Sequence, residues 1–175
     1  EPVVERPWGK VTAGNSSQIT DGASWVILAS EEAVAKHGLT PKAVILDSQW
    51  SALDPGIMGL GPVLSATELL KRNKLSLQDI ETWELNEAFA VQAIADGRGL
   101  GWDFDLVNVN GGAIALGHPI APSGPPVLPT LLYAMNGRTA TTGLATLCLG
   151  GATAVACSGP PHKHADQSAR FLSLT

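Results

Sequence analysis

Apolar residues in this chain fall into short runs separated by polar, glycine-bearing or proline-bearing stretches, and the runs follow two different periods. Residues 23–29, ASWVILA, form a nearly unbroken apolar run of the kind a strand buried on both faces shows. Ser30 then reads as a helix cap. Glu31 and Glu32 suit the first turn of that helix, Lys36 and His37 its last, and Gly38 its left-handed stop. Residues 43–53, AVILDSQWSAL, predict the next strand, and a glycine-rich loop, DPGIMGLGP, leads to a helix with Pro62 at its first position. Leu64, Thr67, Leu70 and Lys71 follow at helical spacing. Ser76 with Asp79 three residues on predicts a one-turn helix before the short strand TWEL. A further helix is predicted from Asn86, with Ala88, Phe89, Val91, Gln92 and Ala95 on a partly apolar face, ended by Gly97 and Gly99. LVNVN, residues 106–110, is strand-like. GLATLCL and ATAVAC, parted by Gly150 and Gly151, predict a hairpin. Strands alternating with helices and ending in a hairpin imply a layered α/β domain with a mixed sheet.

The two ends look different. Residues 1–10 read as an arm and 159–175 as a tail, because the prolines of GPPHKHADQ stop a strand, which leaves 11–158 as the domain. Only 15% of the 175 residues are charged while 45% are apolar, so little surface can be covered with charge and part of it is expected to bury against something else. Eleven basic and 16 acidic residues give a net charge of −5 with no basic run, which argues against nucleic acid as a partner. Two cysteines, Cys148 and Cys157, are too few for a disulfide framework, so a reducing compartment is the expectation. No apolar stretch is long enough to predict a membrane span, and the start, EPVVERPWGK, has no apolar signal core. The first residue is Glu1 rather than methionine, which suggests a start inside a longer coding sequence.

Candidate chemistry lies in loops and at strand ends, in Asn86, His118, Cys148 and the loop 12–21. Cys148 ends an apolar strand beside Leu149-Gly150-Gly151, where close backbone N–H groups could stabilise an oxyanion; it would serve equally as a small buried hydrophobe. His118, between Gly117 and Pro119, is either a structural loop residue or the partner of a cysteine in thiol chemistry. Asn86 stands where a strand hands over to a helix, so a capping role competes with a chemical one. Cys157 reads as core. His162 and His164 form an H-x-H without further ligands, so no metal site is expected there. Gly111, Gly112 and Gly117 do not make a dinucleotide or phosphate loop.

Taken together, TAGNSSQITDGA, IMGLGP, NEAFA, VNVNGGAIALGHPI and GLATLCLGGATAVA, in this order across residues 11–159, resemble the signature blocks of the carboxy-terminal half of thiolases. The resemblance implies an acyltransferase that makes or breaks the carbon–carbon bond of a 3-ketoacyl-CoA. It implies a thiolase-like carboxy-terminal domain, an α/β fold with a mixed, roughly five-stranded sheet covered by helices. It matches Cys148 to the family's acid/base cysteine and His118 to the histidine that activates the nucleophile. Asn86 matches the asparagine that holds a water in the oxyanion hole, and Gly150 the residue whose backbone N–H serves the second oxyanion hole. Ser17 matches a contact to the pantetheine arm of CoA, and Met58 and Phe89 match positions lining the acyl pocket. Acyl-CoA and CoA are the implied substrates, with no cofactor and no metal.

Two departures from the family pattern matter. The nucleophilic cysteine belongs to an amino-terminal half that these residues do not include, so the chain by itself is expected to be inactive and to expose an apolar face. An amino-terminal thiolase half, or another copy of the chain, would cover that face. A non-catalytic thiolase-like interaction or structural subunit, or a fragment, is the alternative. Second, where the family reads like GHPIGASGAR this chain reads GHPIAPSGPPVLPTLL, which sets Pro122, Pro125, Pro126 and Pro129 where the family has a buried helix. A proline inside a helix costs about 3 kcal/mol or more. The helix is therefore expected to start near Val127, or the region to be distorted.

Overall fold

The computed structural model describes residues 1–119, 124–149, 152–158 and 170–173, the side chains of 124–126, 152–158 and 170–173 excepted. Its strands are β1 (Ile27–Ala29), β2 (Ala43–Ser51), β3 (Thr82–Leu85), β4 (Thr142–Cys148), β5 (Ala152–Ser158) and β6 (Arg170–Ser173). The helices are α1 (Glu31–His37), α2 (Gly61–Arg72), α3 (Ala90–Leu100), α4 (Ala113–Leu116) and α5 (Gly124–Arg138). The strands form one mixed sheet in the order β1-β6-β2-β5-β4-β3, with β3 and β4 parallel and every other pair antiparallel.

Strand alternation sends neighbouring residues to two separate cores. On one face Trp83, Leu85 and Leu144 pack with Ala66, Leu69 and Leu70 of α2, together with Ile80 and Trp102. The Trp83 and Trp102 rings meet edge to face, 5.2 Å apart. On the other face Ala43 and Ala145 pack against Leu131, Leu132 and Met135 of α5. A bulge in β2 between Ile45 and Asp47 re-aims the rest of the strand, so that Asp47 accepts a 2.7 Å bond from Arg72 Nε at the end of α2.

Local chemistry accounts for most boundaries. Ser30 accepts a bond from Ala33 N (3.2 Å), and Gly38 takes the left-handed conformation that ends α1. Pro62 sits in the first turn of α2. The Ser76–Asp79 pair closes a 3-10 turn at Leu77–Asp79.

Five expectations are corrected. The run 23–29 yields only the three-residue β1, whose Ile27 and Leu28 are exposed rather than buried on both faces. The helix predicted from Asn86 begins at Ala90, runs through Gly97 and Gly99, and stops at Gly101 in the left-handed conformation. LVNVN is no strand: only Val107 bridges β3. Asn108 uses its side chain in place of a ladder, accepting from Leu85 N (2.8 Å) and donating to Leu85 O (3.0 Å). The helix expected near Val127 starts at Gly124 and takes Pro129 into its interior. Finally, the stretch 159–175 contains β6, which pairs with β1 and β2 and makes the sheet six-stranded. Its RFLS lies well beyond the prolines of GPPHKHADQ in sequence, and a proline removes a ladder donor at its own position alone.

Candidate active site

The parallel pair β3–β4 delivers two candidates to its carboxyl end, the place where open α/β sheets bind ligands. Asn86 follows β3 directly, with its N–H bonded to Thr146 O (3.0 Å), and Cys148 closes β4 two residues further along. Residues 86–89 form a loop rather than a helical turn, so Asn86 is not the helix cap. Its side chain is almost enclosed, 4% exposed.

His118 arrives from the loop after α4. Its N–H donates to Gln18 O (2.8 Å), and a parallel bridge joins it to Ile19. The same 12–21 loop reaches the Asn86 loop, where Ser17 N donates to Ala88 O (3.0 Å) and Ser17 Oγ to the same oxygen (3.3 Å). One loop therefore holds both candidates. The approach depends on Gly117, at φ +93, where an added Cβ would fall 2.3 Å from Thr20.

Asn86 and His118 line one cavity of about 210 Å³, together with Glu84, Gly112, Leu116 and, from α5, Val127 and Thr130. Burial holds the His118 imidazole below its ordinary pKa, so it is neutral at pH 7.

Cys148 is not among the residues that line this cavity. It is 8% exposed, and alternation from Leu144 carries it to the α2 side of the sheet. Burial, with the charge of Asp96 second, pushes its thiol up to about 11. It is consequently a protonated thiol at neutral pH, not a thiolate. Met58 lies in the 3-10 segment Pro55–Leu60, which packs on α3 and β4, and Phe89 is half-buried just before α3. Gly150, His162 and His164 lie outside the described residues, as do Pro122 and the side chains of Pro125, Pro126 and Cys157.

Two buried acids escaped the sequence reading. Glu84 is 3% exposed and Asp96 fully buried, and each has one carboxyl oxygen with no hydrogen-bond partner among the described residues. Burial, aided by Glu87, raises Glu84 to about 8; burial raises Asp96 to about 7 against a hydrogen bond from Gln92. The signal for Glu84 was a charged residue inside the apolar strand TWEL, between Trp83 and Leu85.

Comparison with known proteins gives this geometry a context. The family described as the thiolase C-terminal domain matches residues 39–158. An acetyl-CoA acetyltransferase of Paracoccus denitrificans is 51% identical over 148 residues, which are 85% of this chain and 38% of that protein. The crystal structure of human mitochondrial 3-ketoacyl-CoA thiolase superimposes with a TM-score of 0.86 at 45% identity, covering 90% of this chain and 40% of that one. A thiolase from Ascaris suum in complex with coenzyme A superimposes with a TM-score of 0.81 at 34% identity, over 91% of this chain and 42% of that one. The chain spans about two fifths of the length of these proteins.

Proposed function

Because the chain belongs to the thiolase family, whose carboxy-terminal domain it carries, we propose that it is the carboxy-terminal half of an acyltransferase acting on acyl-CoA thioesters. The complete protein makes the carbon–carbon bond of a 3-ketoacyl-CoA by Claisen condensation or breaks it by thiolysis. The observation that carries this reading is the meeting of Asn86 and His118 in one cavity at the carboxyl end of β3.

The residues divide the work as follows. A neutral, half-buried His118 can take the proton of an attacking thiol and then donate to the thioester oxygen. Asn86, held rigidly by the β4 backbone, retains a water in the same oxyanion hole. Cys148, which closes β4 at the same sheet end as Asn86, gives its thiol proton to the enolate formed beside the thioester and is left as the thiolate, which takes a proton back in the reverse direction. The backbone N–H of Gly150 serves the second oxyanion hole. Ser17, on the loop that binds the other two, contacts the pantetheine arm, and Met58 and Phe89 line the acyl pocket.

The nucleophilic cysteine comes from an amino-terminal half. Trp50 (67% exposed) and Leu46 of β2 and Tyr133 of α5 support that partner, because they leave apolar surface open. The free, buried Cys148 agrees with a reducing compartment. Among the described residues no helix is long and apolar enough to cross a membrane.

The test is acetoacetyl-CoA cleavage by the chain alone and by the chain supplied with the amino-terminal half of a related thiolase. Turnover only in the second case is expected. Turnover by the 175 residues alone refutes the two-cysteine assignment, and a folded but inert complex favours the non-catalytic interaction subunit.

A further inference from the structure

The mechanism above leaves one buried group of the cavity unused. Glu84 precedes Asn86 by two residues and lines the same cavity, on the sheet face opposite Trp83 and Leu85. Its carboxyl is enclosed and its Oε1 has no hydrogen-bond partner among the described residues. Among the described residues, the groups around it offer a carboxylate no counter-charge. Opposite Glu84 in the sheet, β4 supplies Ala145, and α5 supplies Val127 and Thr130, none of them ionisable. The turn after β3 supplies Glu87, a second acid, which accepts from Asn108 Nδ2 (2.7 Å) and Ile114 N (3.2 Å). Among the described residues, His118 is the other ionisable one lining the cavity. A purely structural residue in this place would be apolar, as Trp83 and Leu85 are; a buried acid with an idle oxygen in the wall of the cavity that Asn86 and His118 also line is suited to donate.

Resting on the thiolase reading, we propose that Glu84 is a positioning residue of this site: a neutral carboxylic acid that donates from Oε1 to the water held by Asn86 and leaves His118 uncharged. Ionised, Glu84 would draw a proton onto the imidazole in the same cavity and remove the base that activates the nucleophile. The raised pKa of Glu84 and the lowered pKa of His118 agree with a neutral pair at pH 7.

The test is imidazole NMR of the full chain across pH 5–9, with His118 assigned by its loss in His118→Gln. Two inflections are expected at His118: its own, below the ordinary histidine value, and a smaller one near pH 8 as Glu84 ionises. Glu84→Gln, which keeps a neutral donor, should erase the second and leave the first. In the assembled enzyme Glu84→Gln should hold turnover at pH 7 within about threefold and lose the fall near pH 8, whereas Glu84→Leu should lower kcat about tenfold with KM unchanged. A wild-type chain in which His118 titrates once, above its ordinary value, overturns the proposal, because Glu84 is then its counter-ion. The same holds if Glu84→Leu matches wild type in kcat. Expected NMR inflections in an assembled protein that never turns over would sink the thiolase reading and leave the neutral pair standing.

Discussion

The two faces of the sheet are built from alternate residues of the same strands, yet they are different kinds of interior. Facing α2, Trp83, Leu85 and Leu144 meet Leu69, Leu70 and Trp102 in an apolar cluster. Facing α5, the same β3 strand offers Glu84 and then Asn86 to a cavity that contains His118. The apolar cluster supplies stability through burial, and the side facing α5 gives up part of it to hold Glu84 out of water. Along β3 the apolar cluster and the cavity are thus separated by a single step, while β4 ends on the α2 side with Cys148.

The largest expected effect is a pH dependence set by the two buried acids. A carboxyl whose folded pKa lies above its unfolded value binds its proton more tightly in the folded state. Stability is therefore full below about pH 4 and is lost as pH rises, through about 7 for Asp96 and about 8 for Glu84. The loss is roughly 4 kcal/mol for Asp96 and roughly 5 kcal/mol for Glu84. Asp47, Asp79 and Glu81, whose pKa values are lowered by hydrogen bonds, act the other way and lose their contribution as pH falls. Urea unfolding between pH 4 and 9 should give a maximum on the acid side, and Glu84→Gln should flatten the decline above it. An unchanged decline in that variant would mean that Glu84 is already ionised.

Next in size is the apolar face. Trp83→Ala should cost about 3–5 kcal/mol in thermal or urea unfolding while leaving the His118 titration unmoved. A displaced titration would show that the two faces are not independent.

The two prolines compare the helices that cover the faces. Pro62 lies in the first turn of α2, where its missing N–H is idle, but Pro129 lies inside α5 and removes an internal bond. Pro129→Ala should stabilise by up to about 3 kcal/mol, and Pro62→Ala should bring no gain. Equal melting shifts for the two variants would contradict this.

The smallest effect concerns Cys148. Asp96→Asn removes the lesser of the two causes that raise its thiol, so its alkylation, read at the Cys148 peptide by mass spectrometry, should begin at a lower pH. Burial remains, and the thiol should stay above its ordinary range.

Legibility in the sequence followed the range of the forces involved. Caps and stops are local, so α1, the start of α2 and the Ser76–Asp79 turn were visible in three or four residues. So was the β4–β5 hairpin, from two apolar runs around glycines. LVNVN misled because Asn108 replaced a strand ladder with its side chain, a choice that depends on Leu85 more than twenty residues away. β6 was hidden behind prolines, and its pairing with β1 and β2 spans most of the chain. For the site, the quoted blocks singled out Asn86, His118 and Ser17, and the structure brings their loops together. It does not add Cys148 to their cavity, because strand alternation turns that side chain to the other face. Glu84 and Asp96 went unread since burial of a single acid depends on everything packed around it.

The division of labour between Cys148 and His118 is the central claim, and rapid-mixing mass spectrometry of the chain assembled with a nucleophile-bearing half tests it most directly. After mixing with acetoacetyl-CoA, Cys148→Ala should leave an acetyl adduct on the partner's cysteine at least partly intact while turnover stops. His118→Ala should form little adduct at all. Equal adduct in both variants, or none in Cys148→Ala, would contradict the assignment of proton transfer to one residue and nucleophile activation to the other.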